Sequence, residues 1–460
     1  MKHKLCLHGL EVKNQAQLLN LAKRLLPGST VKVKIKEKYF NDNDMYKYRL
    51  TRFTPENIDG VRLYCAWGTL LVSDKLLAIA DIIIEFEYHN AEAAEAVDSL
   101  LQKLLASKTK FVLEEPDFSQ RLDQLRGCFD QKQLAAYDAD SAMSLLYCHL
   151  PWQVYYVSKL WQEVLSRGPE RSLLRQLRVK LRRLRSLLTL CKPLLPEQEA
   201  VHWQGVLKAS TNRLGDVREY DVALQICSRL QRSREQAEAA LPQLTALLTQ
   251  LRGTATAKAL RGLRLNRLTL ELARLLLWLY SVPAPERELT LAEFLSRRFG
   301  NWYDKLMELP EKYPDLHNME QLHRIRIKLK RFRYALQSVP ELAPEARLLR
   351  SLKYLQDMLG LLHDDYINTM MVEKLVAAHP KIKELRYEAA LFSGWEQAKA
   401  DAALEALPQQ WEAFSSQLTE WKNTSGHKPL IVKGCRQCGK TFSVLDFAKK
   451  NYKHVVYLNF

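Results

Sequence analysis

Between residues 116 and 422 the apolar positions recur at i, i+3, i+4 and i+7, the spacing of one buried helix face. That spacing predicts helices over 138–166, 170–191, 197–213, 217–253, 257–280, 290–309, 318–339, 343–362, 367–378 and 398–421. Pro193, Pro196, Pro283, Pro310, Pro340 and Pro380 punctuate them, since proline cannot extend a helix from within. Residues 1–115 read differently. Strand-like runs at 4–8, 30–40, 45–53, 61–72 and 77–88 are separated in part by turn-rich segments at 41–44 and 57–60, and helical spacing appears at 16–26 and 91–105. Four or five consecutive antiparallel strands with a helix on each side are expected there. After a linker at 423–427, a strand at 429–433, a helix to about residue 450 and a strand at 454–460 are expected.

Two of the helical stretches carry the same polar pattern. Arg175-Gln-Leu-Arg178-Val-Lys180-Leu-Arg182-Arg183-Leu-Arg185 recurs as His323-Arg-Ile-Arg326-Ile-Lys328-Leu-Lys330-Arg331-Phe-Arg333. The cations at i, i+3, i+7 and i+10 fall within an arc of about 80° and span about 15 Å of helix. Four like charges in a row repel unless a polyanion lies along them. The apolar stripes, Leu174, Leu177, Leu181, Leu184 and Leu188 in one copy and Leu322, Ile325, Leu329, Phe332 and Leu336 in the other, lie roughly 100° around from the cations. The cations therefore flank the core face, where a helix lines a groove between its neighbours.

The repeat extends further. Leu207-Lys208 with Leu214-Gly215 and Arg218-Glu219 is echoed by Leu352-Lys353 with Leu359-Gly360 and His363-Asp364. Each half is thus a helical hairpin, and a duplicated hairpin implies pseudo-two-fold symmetry with both basic helices around one groove.

Composition narrows the partner. The chain has 460 residues, a formal net charge of +17 and 47% apolar residues, so it holds real cores and suits an anionic partner. Its eight cysteines are scattered except for Cys435 and Cys438, a usage that fits a reducing cytosol. No signal peptide follows Met1, and the most apolar stretch, at 268–282, is too short and too charged to span a bilayer. A cytoplasmic protein with no membrane partner is expected.

The paired motifs and their Leu-Gly continuations resemble the CHAD family over roughly residues 130–420, Phe392-Ser-Gly-Trp395 included. The family's His-x-x-Arg-x-x-x-Lys-Arg-x-Arg string is complete at 323–333, and Arg175 takes the histidine slot in the first copy. The resemblance implies a helical bundle whose basic channel binds inorganic polyphosphate, and an association with polyphosphate granules. It makes Arg175, Arg178, Arg182, Arg183, Arg185, His323, Arg326, Lys330, Arg331 and Arg333 the anion contacts, with Lys208, Lys353 and Arg218 as additions. It also makes Asp364 an ion-pair partner for a nearby Arg or Lys. Arginine forks and lysine point charges both suit phosphate. The basic helices carry few aromatics, whereas single-strand nucleic-acid binders interleave aromatics with cations, so nucleic acid is the lesser partner.

The N-terminal region resembles a degenerate CYTH domain through Ile82-Ile-Ile-Glu85-Phe-Glu87-Tyr and the helical run after it. That family builds a β-tunnel for metal and triphosphate, and alternation would let Glu85 and Glu87 share a divalent cation. The family's opening Glu-x-Glu-x-Lys strand is replaced by Lys2-His-Lys4-Leu-Cys-Leu-His8. Gly434-Cys-Arg-Gln-Cys-Gly439-Lys440-Thr441 resembles the P-loop of AAA-type ATPases, in which Lys440 would reach phosphate oxygens and Thr441 would hold Mg²⁺. The chain carries no third strand with an acidic end for the metal, so hydrolysis there lacks its parts.

The expectation is a mainly α protein: a duplicated helical bundle at 130–422, a smaller α+β domain with a partial β-tunnel at 1–115, and a short P-loop β-α-β fragment at 428–460. Its expected role is non-catalytic binding of polyphosphate with no cofactor required. Mg²⁺ enters only if the tunnel or the P-loop is active, the rival being a metal-dependent triphosphatase served by the bundle.

Overall fold

The computed structural model describes residues 2–423 except 28, 42–43, 55–59, 73–74, 88–90, 118–120, 122–139, 234–240, 264–265, 284–288 and 340–345. The P-loop positions Gly434, Gly439, Lys440 and Thr441, with Cys435 and Cys438, lie outside the described residues.

The N-terminal part runs β1 (Lys2–Gly9), α1 (Gln15–Leu25), β2 (Thr30–Asn41), β3 (Asp44–Thr54), β4 (Val61–Val72), β5 (Lys75–Glu87), α2 (Ala91–Leu105) and β6 (Phe111–Glu114). The sheet order is β2-β3-β4-β5-β1-β6, and every neighbouring pair is antiparallel. The expected partial tunnel is thus an open six-stranded sheet with β2 and β6 at its edges. Period-two alternation sorts its faces. Leu5, Leu7, Leu63, Ile82 and Ile84 join the main core, which α1 and α2 help to cover. Cys6, Tyr48, Ala66 and Ile83 form a smaller cluster on the other face. At Gly68 an added Cβ would lie 2.1 Å from the Lys47 carbonyl oxygen, so only glycine lets β3 and β4 approach so closely.

Strand β6 was not anticipated. Its inner edge pairs with β1, and its outer edge is satisfied by side chains from the helical part. Phe111 N–H donates to Asn266 Oδ1 at 2.8 Å, Thr269 Oγ1 donates to the Phe111 carbonyl at 2.8 Å, and Leu113 N–H donates to Ser158 Oγ at 2.9 Å. Asn266 also donates to the carbonyls of Leu105 and Thr109. Its backbone is left-handed, φ 64°, a conformation asparagine tolerates better than most residues. Sheet and bundle share one continuous core across this joint.

The helical part opens with a π-helical turn, Leu145–His149, that runs into α3 (Leu150–Arg167). There follow α4 (Arg171–Leu190), α5 (Glu197–Asn212), α6 (Gly215–Ser233), α7 (Pro242–Leu263), α8 (Arg267–Ser281), α9 (Leu291–Met307), the single turn α10 (Leu309–Lys312), α11 (Met319–Ser338), α12 (Ala346–Ala378) and α13 (Lys383–Asn423). The expected helix at 217–253 is two helices. Pro242 starts the second, and Glu388 of α13 accepts the N–H groups of Gln243 and Leu244 there. Gly253, expected to end a helix, lies inside α7. The two helices expected at 343–362 and 367–378 are one, α12, because the polar run His363-Asp364-Asp365 decorates a face and does not break the backbone. Pro408 lies within α13.

The leucine stripes dictate the packing. Leu174, Leu177, Leu181, Leu184 and Leu188 of α4 are all buried, as are Leu322, Ile325, Leu329, Phe332 and Leu336 of α11. Helix α4 packs on α3, α5 and α11, α11 packs on α12, and α12 packs on α13. A second core gathers α6, α7, α12 and α13 around Leu244, Leu248, Val372 and Phe392. Among the described residues no helix is long and apolar enough to cross a membrane.

Candidate anion-binding site

The two basic helices lie against each other. Asn318 caps the start of α11, its Oδ1 accepting the N–H groups of Glu320 and Gln321 at 3.1 Å each. Arg298 of α9 closes the end of α4, donating to the carbonyls of Thr189 at 2.7 Å and Leu190 at 3.1 Å. Buried Gln356 of α12 donates to the Leu329 carbonyl at 2.7 Å and fixes α12 beside α11. With the leucine stripes held inward, the cations of α4 and α11 meet along the seam between the two helices.

Burial, followed by Arg182 and Arg218, pushes Arg178 down to about 10, where it is still cationic at neutral pH. Arg326 is lowered by burial, with Asp364 acting the other way and Arg182 and Arg218 adding to the lowering. Lys330 is pushed down to about 6 by burial, then by Arg326 and Arg182. Arg185 is lowered by burial, then by Arg182 and Arg331. Two of these pairs are equivalent positions of the repeat, 178 with 326 and 182 with 330, and 185 lies near 331, so the facing positions ascend together. The two helices therefore run in the same direction. Arg218 of α6 enters the same field, being lowered by burial and by Arg175 while Asp364 opposes.

Six of these side chains hold a buried polar atom with no hydrogen-bond partner: Nε of Arg178, Arg183, Arg185, Arg326 and Arg333, and Nδ1 of His323. Buried donors are rarely left unpaired, and donors gathered in one place suit an acceptor-rich anion. Around it, Arg183 donates to Gln337 at 3.2 Å, and the guanidiniums of Arg183 and Arg333 lie 5.9 and 5.4 Å from the centroid of the Tyr334 ring. Lys180 sits 3.7 Å from the Tyr156 centroid. Trp161 and Tyr155 are buried nearby on α3.

Not every expected residue joins the cluster. Lys208 and Lys353 are exposed on α5 and α12. Arg175 is exposed at the end of the seam beside Arg218. His363 was passed over in the sequence, yet its ring lies beside that of His323, tilted by 37° with 4.5 Å between centroids. Burial, then Arg326 and His323, push it down to about 3. Its alignment with Arg218 in the repeat was the available signal. Asp364 pairs with Arg326, Oδ1 to Nη2 at 3.6 Å.

The sheet offers a second basic surface. Lys4, Lys32, Lys34, Lys36, Arg52 and Tyr48 help to line a cavity of about 410 Å³ on the face away from α1 and α2. Glu85, expected to share a metal with Glu87, is engaged otherwise. It accepts from Arg62 and Tyr64 at 3.3 Å each and pairs with Lys4 at 3.8 Å, while Glu87 is exposed. Among the described residues no group of three or more His, Cys, Asp or Glu side chains is placed to hold a metal ion.

Residues 157–373 match the model of the CHAD domain. Two solved structures are similar to the chain. The crystal structure of the CHAD domain from the plant Ricinus communis is 25% identical, with 61% of this chain and 95% of that chain covered and a TM-score of 0.49. PptA from Streptomyces chartreusis is 20% identical, with 59% of this chain and 99% of that chain covered and a TM-score of 0.49. No curated protein matches the chain. Both basic helices, Arg171–Leu190 and Met319–Ser338, fall inside the residues that match the CHAD domain.

Proposed function

We propose that this protein binds inorganic polyphosphate, without turning it over, along the seam between α4 and α11. The CHAD family is associated with polyphosphate binding. The observation that carries the reading is the set of unpartnered buried nitrogens on Arg178, Arg185, Arg326 and Arg333, drawn from two parallel helices whose cations lower one another. A phosphate chain supplies acceptors and negative charge at every unit, so one molecule neutralises the row. Arg178, Arg182, Arg185, Arg326, Lys330 and Arg331 contact the chain along the seam, with His323, Arg183 and Arg333 beside it and Arg218 and Arg175 at one end. Lys208 and Lys353, exposed on the second helices, contribute at most long-range attraction. Anchorage to polyphosphate granules follows from this affinity.

A base-free polymer fits better than nucleic acid because Tyr334 and Tyr156 already lie against cations of the seam and offer no free stacking platform. The lysine-lined cavity on the sheet favours an accessory anion pocket over a metal-dependent triphosphatase, since Glu85 is committed to Arg62 and Lys4.

The test is retention on immobilised long-chain polyphosphate at near-physiological salt. The quadruple variant Arg178→Ala, Arg182→Ala, Arg326→Ala, Lys330→Ala should lose retention while keeping its helical circular dichroism. Retention should fall steeply with salt in the parent protein, as counterion release demands. Undiminished retention in the folded quadruple variant would refute the assignment.

A further inference from the structure

Acids share the field of the seam too, and of these Asp364 reaches one of its cations at ion-pair distance, while Glu219 of α6, raised by burial with Arg178 opposing, acts from farther off. Asp364 lies on α12, and its carboxylate reaches Arg326 at 3.6 Å. Gly360 stands one helical turn earlier on the same face of α12. A Cβ placed there would come within 4.0 Å of Arg326 Nε and Nη2, so this turn of α12 lies directly against that guanidinium. The Arg326 side chain is 13% exposed and that of Asp364 31%, which makes the carboxylate the more accessible and more easily moved partner. The same carboxylate acts electrostatically on Arg182 of α4 and Arg218 of α6.

A carboxylate placed among cations of several helices stands where a phosphoryl group would stand. It is monovalent, planar and tethered. Any anion that uses Arg326 fully has to displace it, and a tethered group competes at high effective concentration. A single phosphate ion has no second anchor and meets that competition alone. A phosphate chain differs, because units already held by Arg178, Arg185 or Arg333 present the next unit to Arg326 as a tethered competitor of equal standing. A chain also has the choice of leaving the Asp364–Arg326 pair closed and binding through the rest of the seam.

We propose that Asp364 is an internal counter-anion that keeps orthophosphate and other short phosphate anions off Arg326 and yields only to a chain anchored elsewhere on the seam. This rests on the polyphosphate reading above and assigns the residue that sets its selectivity for length. Removing the carboxylate removes a competitor from the short ligand entirely, but from the long one only in part. The gain in affinity therefore depends on chain length, which simple loss of a repelling charge does not produce.

The experiment compares the full chain with its Asp364→Asn and Asp365→Asn variants, using pyrophosphate and long-chain polyphosphate as probes in titration calorimetry at fixed salt. Asp365 is the control. It occupies the neighbouring position, but burial and Asp401 of α13 raise its pKa, and among the described residues it forms no ion pair with the seam. Asp364→Asn should tighten pyrophosphate roughly tenfold and long-chain polyphosphate less than about threefold, a charge pair near a protein surface being ample for the larger gain. Asp365→Asn should change neither by more than about twofold. Weaker binding of both probes to Asp364→Asn would make Asp364 a positioning residue for Arg326 and overturn the proposal. So would equal gains, or no gain, or the same gains in Asp365→Asn. Failure of the parent protein to bind the long chain at all is a different result and removes the polyphosphate reading itself. Thermal melts of both variants, with midpoints near the parent's, establish that the comparison is between folded proteins.

Discussion

Loading the seam with polyphosphate should draw protons out of solution, and Lys330 should account for most of them near neutral pH. In the free protein, burial followed by Arg326 and Arg182 holds this lysine at about 6. At pH 7.5 it is then only about 3% protonated, against full protonation for an ordinary lysine. A polyanion along α4 and α11 reverses the two repulsive contributions and adds an attractive one, so the bound-state pKa rises. The sign follows directly. A group that binds its proton more tightly in the complex makes affinity fall as pH rises from the free pKa to the bound pKa. The limiting slope is one proton, or about tenfold in affinity per pH unit. His363, held at about 3 by burial, Arg326 and His323, extends the same trend to lower pH. The assay is calorimetry at pH 7.5 in HEPES, ACES and Tris, whose ionisation enthalpies differ. The dependence of the observed heat on buffer enthalpy should give an uptake of roughly 0.5 to 1 proton per seam, and Lys330→Met should abolish most of it. Buffer-independent heats in the parent protein, or an unchanged uptake in Lys330→Met, would refute the reasoning.

Other outcomes follow from the fold. Leu181→Ala and Leu329→Ala, at equivalent fully buried positions of the two basic helices, should each cost about 2–5 kcal/mol in urea unfolding. Asn266→Ala strips the partners from Phe111 N–H and the carbonyls of Leu105 and Thr109 at the joint between sheet and bundle. It should cost about 2–4 kcal/mol, and Asn266→Gly should recover only the part due to the left-handed backbone. Burial pushes Glu115 up to about 7, so ionisation opposes folding as pH rises between the ordinary carboxylate range and 7. Glu115→Gln should therefore raise the melting temperature at pH 8 and leave it nearly unchanged at pH 4.

The basic helices and their meeting were legible because one repeat carried two signals at once. The leucine stripe fixed which face turns inward, and the cation stripe beside it fixed what a two-fold pairing brings together. The strands at residues 61–72 and the helix at 91–105 were equally plain from alternation and helical spacing. Strand β6 was hidden because four residues carry too little periodicity, and its outer partners, Ser158, Asn266 and Thr269, lie far along the chain. The continuity of α12 was hidden by His363-Asp364-Asp365, which look like a break when their neighbours are unknown. Lys208 and Lys353, additions that the family resemblance implied, are exposed beside the buried Leu207 and Leu352. The carboxylates of β5 invited a metal, and only the sheet register shows Arg62 opposite Glu85 on β4 and Lys4 opposite it on β1.

The proposed seam sets buried cations against the stability of the fold, and Arg178 is where that cost can be measured. Its guanidinium is partly buried, its Nε has no partner, and no acid forms a salt bridge with it among the described residues. Burying a charge without a counter-ion is unfavourable, and replacing it by an apolar group of similar length is neutral or stabilising. Methionine follows the path of the arginine stem while removing both the charge and the unpaired donor. Arg178→Met should therefore raise the unfolding free energy of the free protein by about 1–2 kcal/mol, and it should weaken polyphosphate binding in the same preparation. Saturating polyphosphate should reverse the order, because binding stabilises the parent in proportion to its affinity and does less for the variant. A melt series with and without polyphosphate reads both effects. If Arg178→Met melts below the parent protein in the absence of ligand, the arginine contributes packing that outweighs its desolvation, and the seam is not a strained site awaiting its anion.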